Sequence, residues 1–235
     1  MSDKTFEELR TDALHANLAL NATGLVDLTF GNVSVFDPEA GVFAIKPSGV
    51  PYEALSPASM VVIAMDGTRV WGALRPSSDT PTHRRLYEAF AGNGVRSVIH
   101  THSRNAVAFA QAGREIPCLG TTHSDYFHGA VPLTRALTAA EVQGDYEWAT
   151  GDVIVERLRG VDPLSFPAAL VRHHGPFVWG PSSIKAVDTA RALEVIADMA
   201  WRSLLLNPAA PPTPEVLLDK HFLRKHGRGA YYGQS

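Results

Sequence analysis

The stretch Val95-Arg-Ser-Val-Ile-His100-Thr-His102-Ser103 runs from β-branched residues into two histidines one residue apart. Val95, Val98 and Ile99 favour an extended backbone, and residues two apart on a strand project to the same face, so His100 and His102 aim both imidazoles at one point. That is half of a metal site. Ser103 then reads as an N-cap, and Asn105-Ala-Val-Ala-Phe-Ala-Gln-Ala as a helix closed by Gly113. The pair thus belongs at the end of a strand in an α/β arrangement, where open sheets hold their ligands. Two such rings also occur bonded only to backbone and water, so the metal reading needs further ligands.

A third imidazole comes from a second apolar run, Ala168-Ala-Leu-Val171, which leads into Arg172-His173-His174-Gly175-Pro176. Neighbours on a strand face opposite ways, so one of these two histidines joins the site and the other turns away, and the spacing alone does not choose between them. A carboxylate comes from Asp79, just ahead of a helix that opens with Thr80 as N-cap and Pro81 as first residue, buries Leu86, Tyr87 and Phe90, and stops at Gly92. A helix start favours the ionised form of that acid. Three imidazoles with a possible carboxylate are the ligand types of a catalytic zinc site, and they also accept manganese or cobalt.

Three loops follow or precede the β-rich runs: Phe30-Gly31-Asn32-Val33-Ser34, Lys46-Pro47-Ser48-Gly49 and Pro76-Ser77-Ser78-Asp79. Each is a turn by default, since Gly, Ser and Pro mark turns first. Together they offer what a phosphate needs: amides that approach closely at glycine, hydroxyl donors and a compact cation. A Lewis acid beside a phosphate holder points to a phosphorylated substrate whose carbonyl is polarised for carbanion or enediolate chemistry.

The rest of the chain supplies a framework. Thr5-Phe6-Glu7-Glu8 has the capping-box pattern and opens a helix with Phe6, Leu9, Ala13, Ala16, Leu18 and Leu20 that ends near Asn21 and Gly24. Strands are expected over Leu25–Thr29, Asn32–Phe36, Val42–Ile45 and Met60–Met65, with Asp66-Gly67 turning into Thr68–Trp71, which builds an antiparallel sheet. Gly120-Thr-Thr-His123-Ser-Asp125-Tyr126-Phe127-His128-Gly129 gathers titratable and aromatic residues as a plain surface loop would not require. Leu137–Trp148 and Asp152–Arg159 read as helical pieces around Gly144 and Gly151, in a supporting role. A long helix opens at Pro181-Ser182 and ends before Asn207-Pro208; after a proline-rich hinge, Glu215–His226 is a last helix, and Tyr231-Tyr232 close the chain.

Composition limits the partners. With 235 residues, 45% hydrophobic, the chain can bury a sizeable core, and with no repeat or low-complexity tract residues 1–235 read as a single catalytic domain. A formal net charge of −3 without a long basic run argues against nucleic acid or an anionic membrane as partner. The single Cys118 excludes an internal disulfide framework and fits a reducing compartment. No apolar leader and no spanning segment of about 20 residues is present, so the expected location is the cytoplasm.

Read in order, Thr29-Phe-Gly-Asn-Val-Ser34, Lys46-Pro-Ser-Gly-Val50, Pro76-Ser-Ser-Asp-Thr-Pro-Thr-His83, His100-Thr-His-Ser103, Gly120-Thr-Thr-His-Ser-Asp-Tyr-Phe127, His174-Gly-Pro-Phe177, Asp219-Lys-His-Phe-Leu-Arg-Lys-His226 and Tyr231-Tyr-Gly-Gln234 closely resemble the L-ribulose-5-phosphate 4-epimerases of the class II aldolase/adducin-like superfamily. The resemblance runs nearly end to end.

It implies an α/β fold of three layers, α/β/α, around a central, mostly antiparallel sheet. It also implies a cytoplasmic homotetramer with active sites at subunit junctions, in arabinose catabolism or a related pathway. The implied reaction interconverts L-ribulose 5-phosphate and D-xylulose 5-phosphate by retro-aldol cleavage and re-addition through an enediolate, with Zn2+, or Mn2+ or Co2+, as the metal. By the same resemblance His100, His102 and His174 are metal ligands, with Asp79 at the metal. Gly31, Asn32, Lys46, Ser48, Gly49, Ser77 and Ser78 surround the substrate, with His221 as a supporting contact. Asp125 and Tyr232 form an acid/base pair, the tyrosine arriving from a neighbouring subunit. The chain departs from these epimerases at Arg172-His173, where they carry a small polar residue beside the ligand. Two other functions share the resemblance: a sugar-phosphate aldolase, which would carry glutamate in place of Asp79, and a non-catalytic adducin-like interaction module, which would lack the three histidines.

Overall fold

The computed structural model describes residues 6–231. Its seven strands form one sheet in the order β4-β3-β2-β1-β5-β7-β6: β1 Asn32–Asp37, β2 Val42–Ile45, β3 Val61–Ala64, β4 Arg69–Trp71, β5 Ser97–His100, β6 Ala168–Leu170 and β7 Pro176–Gly180. All paired strands run antiparallel. Helices cover both faces. One layer contains α1 Glu7–Ala22, α3 Arg104–Ala112 and the long α7 Ser183–Leu206; the other contains α2 Thr80–Phe90 and α6 Tyr146–Arg157. Short α4 Thr121–Ser124 packs on the last helix, α8 Glu215–His226, and α5 Ala139–Gln143 precedes α6.

The strands obey period two. Ile99 and Val178 point into the core under α3 and α7, while Val98, Phe177 and Trp179 point into the core under α2 and α6. Burial on both faces explains why Val42-Phe-Ala-Ile45 and Val61-Val-Ile63 are continuous apolar runs instead of alternating ones.

Several expectations change. Leu25–Thr29 is not a strand but a loop and turn, with Leu28 at φ 56°, which β-propensity alone does not reveal. Thr5 lies outside the described residues, and the residue ahead of α1 is Phe6, which makes no side-chain cap bond. The helix over Asp79–Phe90 starts one residue earlier than read: Asp79 itself is at the N-cap, and Pro81 falls within the first two helical positions. Gly151 does not interrupt a helix, because α6 runs through it from Tyr146 to Arg157. A β-carbon there would lie 2.7 Å from Arg85 Cβ, so this glycine lets α2 and α6 approach closely.

Candidate metal centre and substrate cleft

Strand register assembles the site. Asn32 of β1 pairs with His100 of β5, which pairs in turn with Phe177 of β7, so the start of β1, the end of β5 and the loop before β7 meet at one sheet end. Lys46 follows β2 at the same end, since Ile45 pairs with Ser34. Two loops distant in sequence are stitched there by backbone: Ser77 N–H donates to Lys46 O and Ser48 N–H to Arg75 O, both at 3.0 Å.

The result is a cleft of about 410 Å³ whose lining includes Gly31, Asn32, Lys46, Ser48, Gly49, Ser77, Ser78, Asp79, His100, His102 and His174. Gly31 is required: its φ is +77°, and a β-carbon would lie 2.7 Å from Val26 Cγ1 and 3.0 Å from His100 O.

His100, His102 and His174 each bring a ring nitrogen within 4.8 Å of the others. His100 Nε2 and His102 Nε2 face each other at 3.0 Å, while His100 Nδ1–H donates to Pro176 O at 3.0 Å, which leaves the His100 Nε2 lone pair directed at its neighbour. Burial pulls His174 down to about 4, with the other two imidazoles adding to the shift, and burial also lowers His100, so these two rings favour the neutral form that a divalent cation takes. Three convergent imidazoles fit such an ion.

His102 lies beyond the strand, which ends at His100, and stacks on Phe30 with ring centroids 5.7 Å apart. His173 occupies a turn between β6 and β7, exposed, at φ 65°. It points away from the cluster for that reason and not because a strand alternates.

Asp79 lines the cleft beside the three rings but is not one of the trio. Burial would raise its pKa, yet the His100 and His83 imidazoles and the Asn32 amide outweigh burial and hold it low. Asn32 Nδ2 donates to Asp79 Oδ2 at 2.6 Å and to Ser77 Oγ at 3.0 Å. Asn32 Oδ1 is buried without a partner among the described residues, an acceptor that a ligand hydroxyl can satisfy. Lys46, 2% exposed, places Nζ 3.4 Å from Thr29 O and 4.8 Å from the Tyr52 ring centre; burial lowers its pKa. An anion entering beside it would meet a poorly solvated cation.

Asp125 and His221 are brought together, but outside this cleft. The Asp125 carboxylate takes His221 Nδ1 at 3.0 Å and Arg224 Nη2 at 2.9 Å, with Lys225 Nζ 3.5 Å away. Burial opposes ionisation, but bonds from Arg224 and His221 prevail and lower its pKa. Tyr232 lies outside the described residues. The sequence reading also missed two lining residues, Tyr146 and Glu147 in the first turn of α6. An aromatic hydroxyl and an acid side by side at a helix start are their only local mark.

The class II aldolase and adducin N-terminal domain family matches residues 11–201. Proteins named L-ribulose-5-phosphate 4-epimerase UlaF, from Salmonella paratyphi C and from Salmonella typhi, are each 51% identical over 97% of this chain and 99% of their own length. Among solved structures, an L-fuculose 1-phosphate aldolase superposes with a TM-score of 0.76 at 20% identity, covering 94% of this chain and 96% of that one. YgbL of Klebsiella pneumoniae, titled a putative aldolase/epimerase/decarboxylase, gives 0.72 at 22% identity over 91% and 97%.

Proposed function

The chain belongs to the class II aldolase and adducin family, and on that premise we propose that it is a metal-dependent L-ribulose-5-phosphate 4-epimerase, interconverting L-ribulose 5-phosphate and D-xylulose 5-phosphate. The observation that carries the reading is 51% identity, over nearly its whole length, to proteins named for that activity. The three-histidine cluster in a cleft with one buried lysine supports it.

His100, His102 and His174 would hold the divalent ion, with Asp79 beside it as a further ligand or as the countercharge. Zinc is our choice of metal, on the strength of the imidazole donors. When bound, the ion supplies Lewis-acid polarisation of the substrate's ketone and adjacent hydroxyl.

The remaining steps belong to side chains. Lys46, Ser48, Gly49, Ser77 and Ser78 bind the phosphate, and Gly31 and Asn32 the sugar, Asn32 Oδ1 accepting a hydroxyl proton. One member of the pair Asp125 and Tyr232 takes the C4 hydroxyl proton as the C3–C4 bond breaks to an aldehyde. After the aldehyde presents its other face, the bond re-forms and the second member returns a proton to the C4 oxygen, so atoms balance. A positioned acid or base of this kind contributes about 10²–10⁴-fold.

Asp125 and His221 lie outside the cleft of their own chain, and we assign them with Tyr232 to the cleft of a neighbouring copy in a cytoplasmic homotetramer. Exposed apolar residues on α7 and α8, among them Met199, Leu205, Leu206 and Val216, supply surface for such contacts.

A coupled assay for D-xylulose 5-phosphate, run before and after chelation, tests the reading. Turnover that disappears on chelation and returns with metal is the expected result. Net release of free glycolaldehyde phosphate in its place would make the protein an aldolase.

A further inference from the structure

Two of the three imidazoles are held by the sheet or by stacking: His100 bonds a backbone carbonyl at a strand end, and His102 lies on Phe30. The His174 side chain bonds no backbone carbonyl among the described residues and does not lie on Phe30. It is part-exposed, on the turn between β6 and β7, and follows a residue in left-handed conformation. Its side-chain partner is the Tyr146 hydroxyl, 3.3 Å from His174 Nδ1, with the two rings stacked at 29° and 6.3 Å between centres.

We propose that Tyr146 is the positioning residue for His174: its oxygen accepts the Nδ1–H and so presents the Nε2 lone pair to the cation. The inference rests on the metal-centre reading above. A neutral imidazole has one N–H and one lone pair, and the bond made by one nitrogen decides which the other offers. At His100 the carbonyl of Pro176 can only accept, so Nδ1 carries the proton there. Tyr146 performs the same task for His174 from a different element, 28 residues away. A phenol hydroxyl carries lone pairs and can accept this bond.

The support is rigid. Tyr146 opens α6, and α6 is fastened to α2 by the Thr82 hydroxyl on Glu147 O, by Arg85 Nε on Asp152 Oδ1 at 2.6 Å and by the close approach at Gly151. Because Asp79 stands at the N-cap position of α2, one helix pair sets both the carboxylate beside the metal and the restraint on a ligand across the cleft.

The test uses the full-length protein stripped by chelation and titrated with Co2+ by visible absorption, and with Zn2+ against a chromophoric chelator. Parent, Tyr146→Phe and His174→Ala are compared, each with a melting curve of the stripped form. Tyr146→Phe keeps the ring and is expected to weaken Zn2+ affinity about 10–100-fold, while the stripped protein melts within about 3 °C of the parent. Unchanged metal affinity in Tyr146→Phe overturns the proposal, whether or not KM for the sugar phosphate rises. So does an affinity loss accompanied by a large fall in the stripped protein's melting temperature, which would make Tyr146 a structural residue. A parent that takes up no metal, or a His174→Ala variant that binds as tightly as the parent, removes the ligand assignment itself and the proposal with it.

Discussion

His100 and His123 are both buried histidines with a carbonyl partner, yet their surroundings give them different work. His100 is 2% exposed and faces two further imidazoles; His100→Asn should leave the fold intact and abolish stoichiometric metal, read by elemental analysis of purified protein. His123 lies away from the cleft. Its Nε2–H donates to Gly129 O at 2.7 Å, and Nδ1 is buried without a partner among the described residues. Burial pulls its pKa down to about 4 from an unfolded value of 6.5. Between those values the unfolded chain binds a proton that the folded protein refuses, so this residue's contribution is complete above 6.5 and is lost as pH falls toward 4. Linkage puts the loss at about 2 kcal/mol between pH 7 and pH 5. Urea unfolding of the metal-stripped protein should show the drop, and His123→Gln should shrink it; an equal drop in the variant would exclude His123 as its source.

Among elements, the α2–α6 pair and the β6–β7 turn carry the most information about the site. An alanine at position 151 would improve helix propensity by about 1 kcal/mol, but its methyl meets Arg85 Cβ, which cannot swing aside as a long side-chain tip could. Gly151→Ala should therefore cost about 1–3 kcal/mol in chemical denaturation. A neutral or stabilising result would show that the two helices part easily. In the turn, His173 adopts a left-handed backbone that costs a β-carbon-bearing residue about 1–2 kcal/mol, while glycine there gives back part of that gain through a more flexible unfolded chain. His173→Gly should thus change stability by less than about 1 kcal/mol and leave metal content unchanged, whereas loss of metal would make His173 a ligand.

For the whole molecule, the decisive arrangement is the separation of Asp125 from the histidine cleft. If the acid/base pair of one copy serves the cleft of the next, two inactive variants carry complementary halves. Co-expressing Asp79→Asn with Tyr232→Phe should restore up to about a quarter of parental turnover by random mixing in a ring of identical subunits. Mixed protein with no more activity than either variant alone would place all the machinery within one chain. No helix among the described residues is long and apolar enough to cross a membrane.

Local sequence determined a good deal. The β-branched lead into His100, the hydrophobic spacing of α2 and α7, and the glycine- and hydroxyl-rich loops were legible because backbone preference and side-chain period depend on near neighbours. The candidate ligand types were visible at the strand ends, and seven of the eight substrate contacts expected from the resemblance line the cleft. His221 does not. Tertiary structure alone decided that β1 lies between β2 and β5, so that Asn32, Lys46, His100 and His174 share one end of the sheet. It decided equally that Gly151 is a packing contact instead of a helix break, and that Tyr146 stands across from His174. The reason is physical: dihedral preferences act over a few residues, whereas strand order and helix packing are set by which apolar faces can be buried together, and no single stretch of chain contains that information.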